Sequence, residues 1–285
     1  MLLTFAALFC CQAGESTDSR IGKTSAGFKF APEFHFNEDL HLFFNQKNDT
    51  FERRYLMEWN SSAELAFFSF RDRFFFFGEM EATLGLGKWP NKAILFDPND
   101  IDIGFGPVFE YRFAPVNITL GLDHHCFHGI DTLDYVPVYW NKVTLGASSP
   151  QFRREAFRQA IAGDAAVPWN RRIAWQAGIE YSLHSFFGLD TSVVSWNLPY
   201  VFDVNGEVRC AVARFRGIAA VLDATTGAYL TRANQTKWNQ QLCVELLATQ
   251  GLFGLDLFVN WVVVDQVQWR GNKDRLVALG VDGFR

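Results

Sequence analysis

The sequence predicts an all-β fold, a transmembrane antiparallel β-barrel of about twelve strands, and three observations carry this prediction. Apolar and polar residues alternate with a period of two through most of the chain, which is typical of strands with one apolar face. The hydrophobic fraction is 49%, and Phe alone occurs 30 times, whereas charged residues make up only 20% of the 285 residues. After the N-terminus, no continuous apolar run approaches the ~20 residues of a membrane-spanning helix. The apolar residues are therefore distributed over strand faces.

The alternating segments follow one another along the whole chain. They begin near residues 26, 53, 73, 101, 116, 138, 171, 192, 207, 237, 252 and 275. In the fourth segment, Ile101, Ile103 and Phe105 share one face, and Asp102 and Gly104 share the other. Many segments reach the ~9–11 residues that cross a bilayer as a tilted strand. A soluble sandwich would seldom combine so many long strands with such aromatic faces, and an even strand number is expected of a bacterial outer-membrane barrel.

The connections alternate between short and long, as periplasmic turns and outer loops do in outer-membrane barrels. The predicted turns are Arg71-Asp72, Ala114-Pro115, Asn205-Gly206 and Gln250-Gly251. Of these, Asn-Gly is a strong hairpin signal. The predicted loops are 38–52, 87–100, 128–137, 185–191, 223–236 and 266–274. Residues 148–170 break the rule because they are long but periplasmic, and we expect a short helix within residues 151–162.

Residues 1–13 have the features of a signal peptide. The apolar run from Leu2 to Cys11 has the length of an h-region, and Ala13 can precede the cleavage site. The mature chain would keep three cysteines, and Cys210 and Cys243 fall on opposite strand faces, so no disulfide between them is expected. We therefore predict that residues 14–285 form one barrel domain in the bacterial outer membrane.

The charges indicate a lumen rather than a nucleic-acid surface. A net charge of −5 argues against a nucleic-acid partner, which favours a basic surface. The polar strand faces carry the residues expected in the lumen, which are Glu58, Glu64, Glu79, Glu81, Glu110, Arg112, Lys142, Glu180, Glu245 and Asp256. In a small barrel these groups are expected to cross-pair as a salt-bridged plug rather than to line a wide pore.

One stretch concentrates reactive side chains. Residues 122–131 read LDHHCFHGID, with three histidines and a cysteine within five positions. Residues two apart on a strand share a face, so the apolar positions Leu120 and Leu122 place His124, Cys126 and His128 toward lipid near the outer rim. Asp123 and His125 are then predicted to point into the lumen.

The following segment, VYWNKVTLG, places a polar partner beside this cluster. Tyr139, Asn141, Val143 and Leu145 share its more apolar face. Asn141 is therefore also predicted to face lipid, near the outer end of the strand next to the cluster.

These two segments resemble outer-membrane phospholipase A, a family with H-x-S on one strand and W-N on the next. In that family the His, Ser and Asn form a triad on the lipid-facing wall. This chain has His124-His125-Cys126 and Trp140-Asn141, and Tyr111-Arg112-Phe113-Ala114 resembles the preceding turn. The resemblance covers about residues 101–145. Here Cys stands where the family has Ser, and the gap to Trp140-Asn141 is longer by a few residues.

The resemblance implies a lipid acyl-ester hydrolase at the outer leaflet. His124 would be the base, Cys126 would take the nucleophile position and Asn141 would orient the imidazole. Membrane lipids or lipopolysaccharide would be the partners, calcium is a candidate cofactor, and a homodimer is a candidate assembly. Lipid A deacylase barrels also use H-x-S on a strand, and His124-x-Cys126-x-His128-x-x-Asp131 resembles an H-x-S-x-H-x-x-D element in uncharacterised outer-membrane barrels. The chemistry is sound, because a thiol ionises more readily than a hydroxyl and a positioned base activates it.

Two other interpretations remain open. His128 and Asp131, beside the other members of the cluster, offer ligand types for zinc or copper, although the C-x-x-C spacing of structural zinc sites is absent. The cluster could also be a polar patch at a strand end, on a non-enzymatic barrel that serves as a narrow channel or a structural protein.

Overall fold

The structure is a computed structural model that describes residues 27–44, 56–87, 97–129, 138–162, 167–183, 200–231, 233–248, 254–266 and 276–284. Its strands are β1 (Phe28–Phe30), β2 (Phe34–Phe44), β3 (Met57–Phe70), β4 (Phe74–Gly87), β5 (Asp97–Phe113), β6 (Val116–Gly129), β7 (Val138–Ser148), β8 (Ile173–Leu183), β9 (Tyr200–Phe215), β10 (Ile218–Thr231), β11 (Thr236–Ala248), β12 (Gly254–Asp265) and β13 (Val277–Phe284). Two helices, α1 (Arg154–Ile161) and α2 (Trp169–Arg172), lie between β7 and β8. Neither helix in this part of the chain has the length and hydropathy needed to cross a membrane. The predicted signal peptide lies outside the described residues.

Strands β2 to β13 form a closed antiparallel barrel of twelve strands. Each strand pairs with the next along the chain, and β13 closes on β2, with Val277 opposite Phe44 and Phe284 opposite Asn37. Strand β1 pairs with the far end of β3, beyond β2. Closure gives each of these twelve strands two neighbours, which a barrel needs in lipid because no water is available to pair an open edge. The predicted fold class and strand number are confirmed.

Alternation in the sequence becomes the two faces of the wall. In β12, Leu255, Leu257 and Val259 are exposed on the outside, whereas Asp256 and Phe258 are buried on the inside. Successive side chains of a strand point to opposite faces, so each strand contributes an apolar outer row and a polar inner row. The outer rows together form the surface that meets lipid.

The turn predictions hold where the local signal and the strand pairing agree. Arg71-Asp72 joins β3 to β4, and both residues have positive φ (53° and 52°), as a tight hairpin requires. Ala114-Pro115 joins β5 to β6. Gln250-Gly251 lies outside the described residues.

The turn predicted at Asn205-Gly206 is wrong. Both residues lie inside β9, where Asn205 pairs with Gly227 and Gly206 pairs with Thr226. The hairpin turn lies at Arg216-Gly217 instead, with φ of 45° and 84°. The strands predicted to start near 192 and 207 therefore begin at 200 and 218, and residues 223–231, predicted as loop, belong to β10. Ladder pairing and a lumen hydrogen bond from Asn205 to Glu180 outweigh the local turn preference.

Helix α1 occupies the periplasmic end of the lumen, the end that carries the short turns. Its Phe157 and Ile161 are buried in a cluster with residues near the periplasmic ends of the wall strands, which are Ala174, Ala211, Ala219, Val221, Leu247 and Phe284. Burying two large apolar side chains stabilises this docking by roughly 3–6 kcal/mol before the entropy cost of ordering the segment. Residues 152–161 of the connection between β7 and β8 thus form an internal plug.

Candidate active site on the lipid-facing wall

Strands β6 and β7 present the His/Cys cluster on the outer surface of the barrel. In their antiparallel register, His124 lies directly opposite Asn141, and Cys126 lies directly opposite Tyr139. Leu120 and Leu122, on the same face as His124, are 49% and 48% exposed, whereas His125 is only 7% exposed. The pairing of β6 with β7 contains no bulge between Asn117 and Phe127. Alternate residues of β6 therefore stay on the same face along this stretch, as the sequence pattern assumed.

The imidazole of His124 is held by the amide of Asn141. Nδ1 of His124 lies 2.9 Å from Oδ1 of Asn141. An amide oxygen only accepts hydrogen bonds, so Nδ1 must carry the proton in this contact. In the neutral imidazole, Nε2 then keeps a basic lone pair. The ring packs between Phe105 at 5.2 Å and Tyr139 at 6.2 Å between centroids. These neighbours restrict the orientation of the imidazole.

The thiol of Cys126 touches a different histidine. Its sulfur contacts Nε2 of His128, and a side-chain hydrogen bond joins it to Tyr139. The ring of His128 meets Tyr139 edge-on at 5.8 Å. His124 and His128 flank Cys126 at two residues on either side, each about 7 Å away at Cα by strand rise. The structure therefore gives the thiol an imidazole contact that the sequence did not assign.

The inward residues of the same strand belong to the lumen. His125 stacks on Trp140, with centroids 4.9 Å apart and planes 4° from parallel. Its Nε2 lies 3.5 Å from Glu81 and its Nδ1 lies 3.7 Å from Asp102. Asp123 accepts a hydrogen bond from Thr144 at 3.2 Å. These side chains are separated from the lipid-facing cluster by the wall itself.

The described residues do not assemble a metal site at the cluster. Over the described ranges, no group of three or more His, Cys, Asp or Glu side chains is arranged to hold a metal ion. Asp131, the second predicted ligand beside His128, lies outside these ranges. Calcium prefers six to eight oxygen ligands. The described side chains of the cluster offer the oxygens of Asn141 and Tyr139, and the first is already engaged by His124, so the cluster does not fit calcium.

The sequence did not identify the arginines that enter the lumen from the β7–β8 connection. Arg153 pairs with Glu64 and Glu110, and Arg154 pairs with Glu245, Asp256 and Asp282. Cross-paired lumen charges were expected, and two of their cations come from this connection, beside the wall cations Arg112, Lys142 and Arg209. In the sequence, the arginines of this connection stand next to apolar residues, and this pattern was a signal that the segment could enter the lumen.

The fold is that of known outer-membrane barrels. No protein-family model matches the chain, and no curated protein matches its sequence. Outer membrane phospholipase A from Escherichia coli is similar in structure, with 10% identity, a TM-score of 0.50, and coverage of 88% of this chain and 92% of that one. An outer membrane channel from Pseudomonas putida F1 has 9% identity, a TM-score of 0.47, and coverage of 95% and 99%. OmpT, an outer membrane protein of Vibrio cholerae, has 7% identity, a TM-score of 0.37, and coverage of 88% and 96%. The protein is a bacterial outer-membrane β-barrel.

Proposed function

We propose that this barrel hydrolyses an acyl ester of a membrane lipid at the outer leaflet, with Cys126 as nucleophile, His124 as base and Asn141 as the residue that orients His124. The observation that supports the proposal most is the 2.9 Å contact between His124 and Asn141 on the lipid-facing wall, with a thiol on the same face. Polar side chains that face lipid are costly and commonly mark function. A hydrogen-bonded imidazole beside a thiol at this place has a direct catalytic use.

The reaction proceeds in two steps. The imidazole takes the proton of the Cys126 thiol, and the sulfur attacks the ester carbonyl, forming a carbon–sulfur bond. The carbonyl re-forms as the ester C–O bond breaks, and the alcohol leaves with the proton from the imidazolium. Water, deprotonated by the same imidazole, then attacks the thioester, which releases the fatty acid and restores the thiol. Asn141 stabilises the imidazolium by accepting from Nδ1–H throughout.

The substrate would enter sideways from the bilayer. Phe105, Leu120, Leu122 and Leu145 surround the site on the outer face and are each about half exposed. These apolar side chains would contact acyl chains, while the polar cluster lies toward the outer end of β6, where ester groups of outer-leaflet lipid or lipopolysaccharide lie. Membrane lipids or lipopolysaccharide are therefore the proposed partners.

The proposal is tested by lipid-ester hydrolysis with the refolded barrel in mixed micelles. We expect Cys126→Ala and His124→Ala to lose activity by a factor of roughly 10²–10⁴, and Asn141→Ala by a smaller factor. Cys126→Ser should keep measurable activity, because a hydroxyl can replace the thiol. Cys210→Ala is the matched control, since Cys210 is a free cysteine on another strand.

Comparison of His124→Ala with His128→Ala separates the two imidazoles. If His124 is the base, its loss abolishes turnover, and the loss of His128 slows it by changing the environment of the thiol. Activity that persists in a folded Cys126→Ala barrel would overturn the proposal.

A further inference from the structure

We propose that the lumen is a path for small cations that the plug, residues 152–161 including α1, closes at the periplasmic end. The proposal is independent of the hydrolase, because every residue it uses lies inside the wall. It rests on three features of the described residues: how the plug is anchored, how apolar side chains fill that end of the lumen, and which charges remain beyond it.

Two adjacent arginines anchor the plug to two parts of the wall that lie on either side of β2. Arg153 lies 2.9 Å from Glu64 on β3 and 2.8 Å from Glu110 on β5. Arg154 lies 3.2 Å from Glu245 on β11, and 2.8 Å from both Asp256 on β12 and Asp282 on β13. The pair therefore ties the plug to five strands of the wall, and both anchors begin at one end of α1.

In the described contacts, the carboxylates around Arg154 form ion pairs with Arg154 alone. Glu245, Asp256 and Asp282 are 0–1% exposed. Three buried carboxylates around one guanidinium are costly unless the cation is present. If these groups served only to stabilise the barrel, apolar residues of similar size would give an equal or larger free energy of unfolding. The arrangement is explained if the wall holds a receptor for a removable cationic segment.

Apolar packing fills two further parts of the periplasmic end. Phe157 and Ile161 fill one side against β8 to β11 and β13. On the other side, Phe75 and Phe77 pack with Ala66 and Val108, and the guanidinium of Arg112 lies 3.7 Å from the centroid of Phe75. These two clusters place apolar side chains at this end of the lumen.

Beyond the plug, the lumen is an acidic cavity of about 760 Å³. At ~30 Å³ per water molecule, this volume would hold roughly 25 waters, which is enough for a hydrated cation. Eleven carboxyl side chains and three arginines line it. The three arginines each pair with carboxylates, so the excess charge is negative.

Two buried side chains at the wall of this cavity have an oxygen without a hydrogen-bond partner. Asp223 and Asn260 both line it and are each 7% exposed. One oxygen of each, Oδ1, has no hydrogen-bond partner in the described structure. A cavity lined by many more carboxyl groups than arginines favours a cation over an anion or a neutral solute.

Planar bilayer recordings under a KCl gradient test the proposal. The variants are Arg153→Gln with Arg154→Gln, and a barrel in which residues 152–161 are replaced by a short Gly-Ser linker. We expect both to show conductance steps that the wild type lacks, with a reversal potential shifted toward that of K⁺. Arg171→Gln is the control for a lost arginine, because it removes one positive charge from an exposed position of the same connection. Glu79→Gln with Glu81→Gln in the linker variant should shift the reversal potential back toward zero.

Heat-modifiable migration on gels establishes which variants are folded. A folded linker variant without conductance steps, or one that selects anions, overturns the proposal. If neither plug variant folds, the plug is a fixed part of the barrel, and the proposal of a removable closure is equally overturned.

Discussion

Protonation of Glu33 should weaken the barrel in a defined range of pH. Glu33 lies between β1 and β2 and receives two hydrogen bonds of 2.7 Å from the guanidinium of Arg112. Burial opposes its ionisation, but hydrogen bonds from His35 and Arg112, with their charges, outweigh burial and lower its pKa from 4.5 to about 2. Because the folded-state pKa is depressed, the stabilisation is complete above the unfolded pKa and is lost as pH falls toward 2.

The size of the effect follows from the shift. A difference of about 2.5 pKa units corresponds to about 3 kcal/mol at ~1.36 kcal/mol per unit. Glu33 is 28% exposed, and solvent screening reduces the expected contribution to about 2 kcal/mol. The ion pair should therefore supply about 2 kcal/mol at pH 6 and almost nothing at pH 2.

The assay compares urea unfolding of wild type and Glu33→Gln in micelles from pH 6 to pH 2. We expect the wild type to be more stable by about 2 kcal/mol at pH 6, and the two curves to converge between pH 4.5 and pH 2. His35→Gln serves as a control for the second partner of Glu33, whose Nε2 lies 3.3 Å away. A constant difference between the variants across this range would refute the reasoning.

Three further predictions concern closure, the plug and the thiol. Gly280→Ala should impair folding, because its Cβ would overlap with the ring of Phe258 and the carbonyl of Leu40, whereas Gly283→Ala, which meets nothing within 4 Å, should be tolerated; heat-modifiable migration distinguishes them. Phe157→Ala empties a fully buried site and should weaken docking of α1 by ~3–5 kcal/mol, seen as faster proteolysis within the β7–β8 connection; unchanged protection would contradict the plug. His128→Ala should slow alkylation of Cys126 by iodoacetamide, measured by mass spectrometry in a background without other cysteines; an equal rate would show that the contact has no chemical effect.

The sequence predicted the fold and the side of the wall on which the cluster lies, because both depend on the alternation of residues between the two faces of a strand. Alternation of apolar and polar residues sets the face of every position, and β6 keeps its register from Asn117 to Phe127 without a bulge. His124 and Asn141 are therefore opposite each other on the outer face, as expected from the two separate strand patterns. The count of alternating segments predicted the twelve strands of the closed barrel.

The parts that failed depend on contacts between distant residues. Asn205-Gly206 has a strong turn signal, but Asn205 finds a partner in Glu180 on β8 and the strand continues through it. Arg153 and Arg154 lie in a connection whose path cannot be read from periodicity, and their partners are 43 residues or more distant along the chain. The contact between Cys126 and His128 depends on side-chain rotamers, which parity does not determine.

The most direct test of the proposed function is the detection of its covalent intermediate. The barrel would be incubated with a phospholipid in mixed micelles, quenched with acid and examined by mass spectrometry of its peptides. We predict an acyl group on the peptide that contains Cys126, released by neutral hydroxylamine as a thioester should be, and absent from Cys126→Ala. Release of fatty acid with no acyl group on Cys126, or with the acyl group on another residue, would contradict the assignment of Cys126 as the nucleophile.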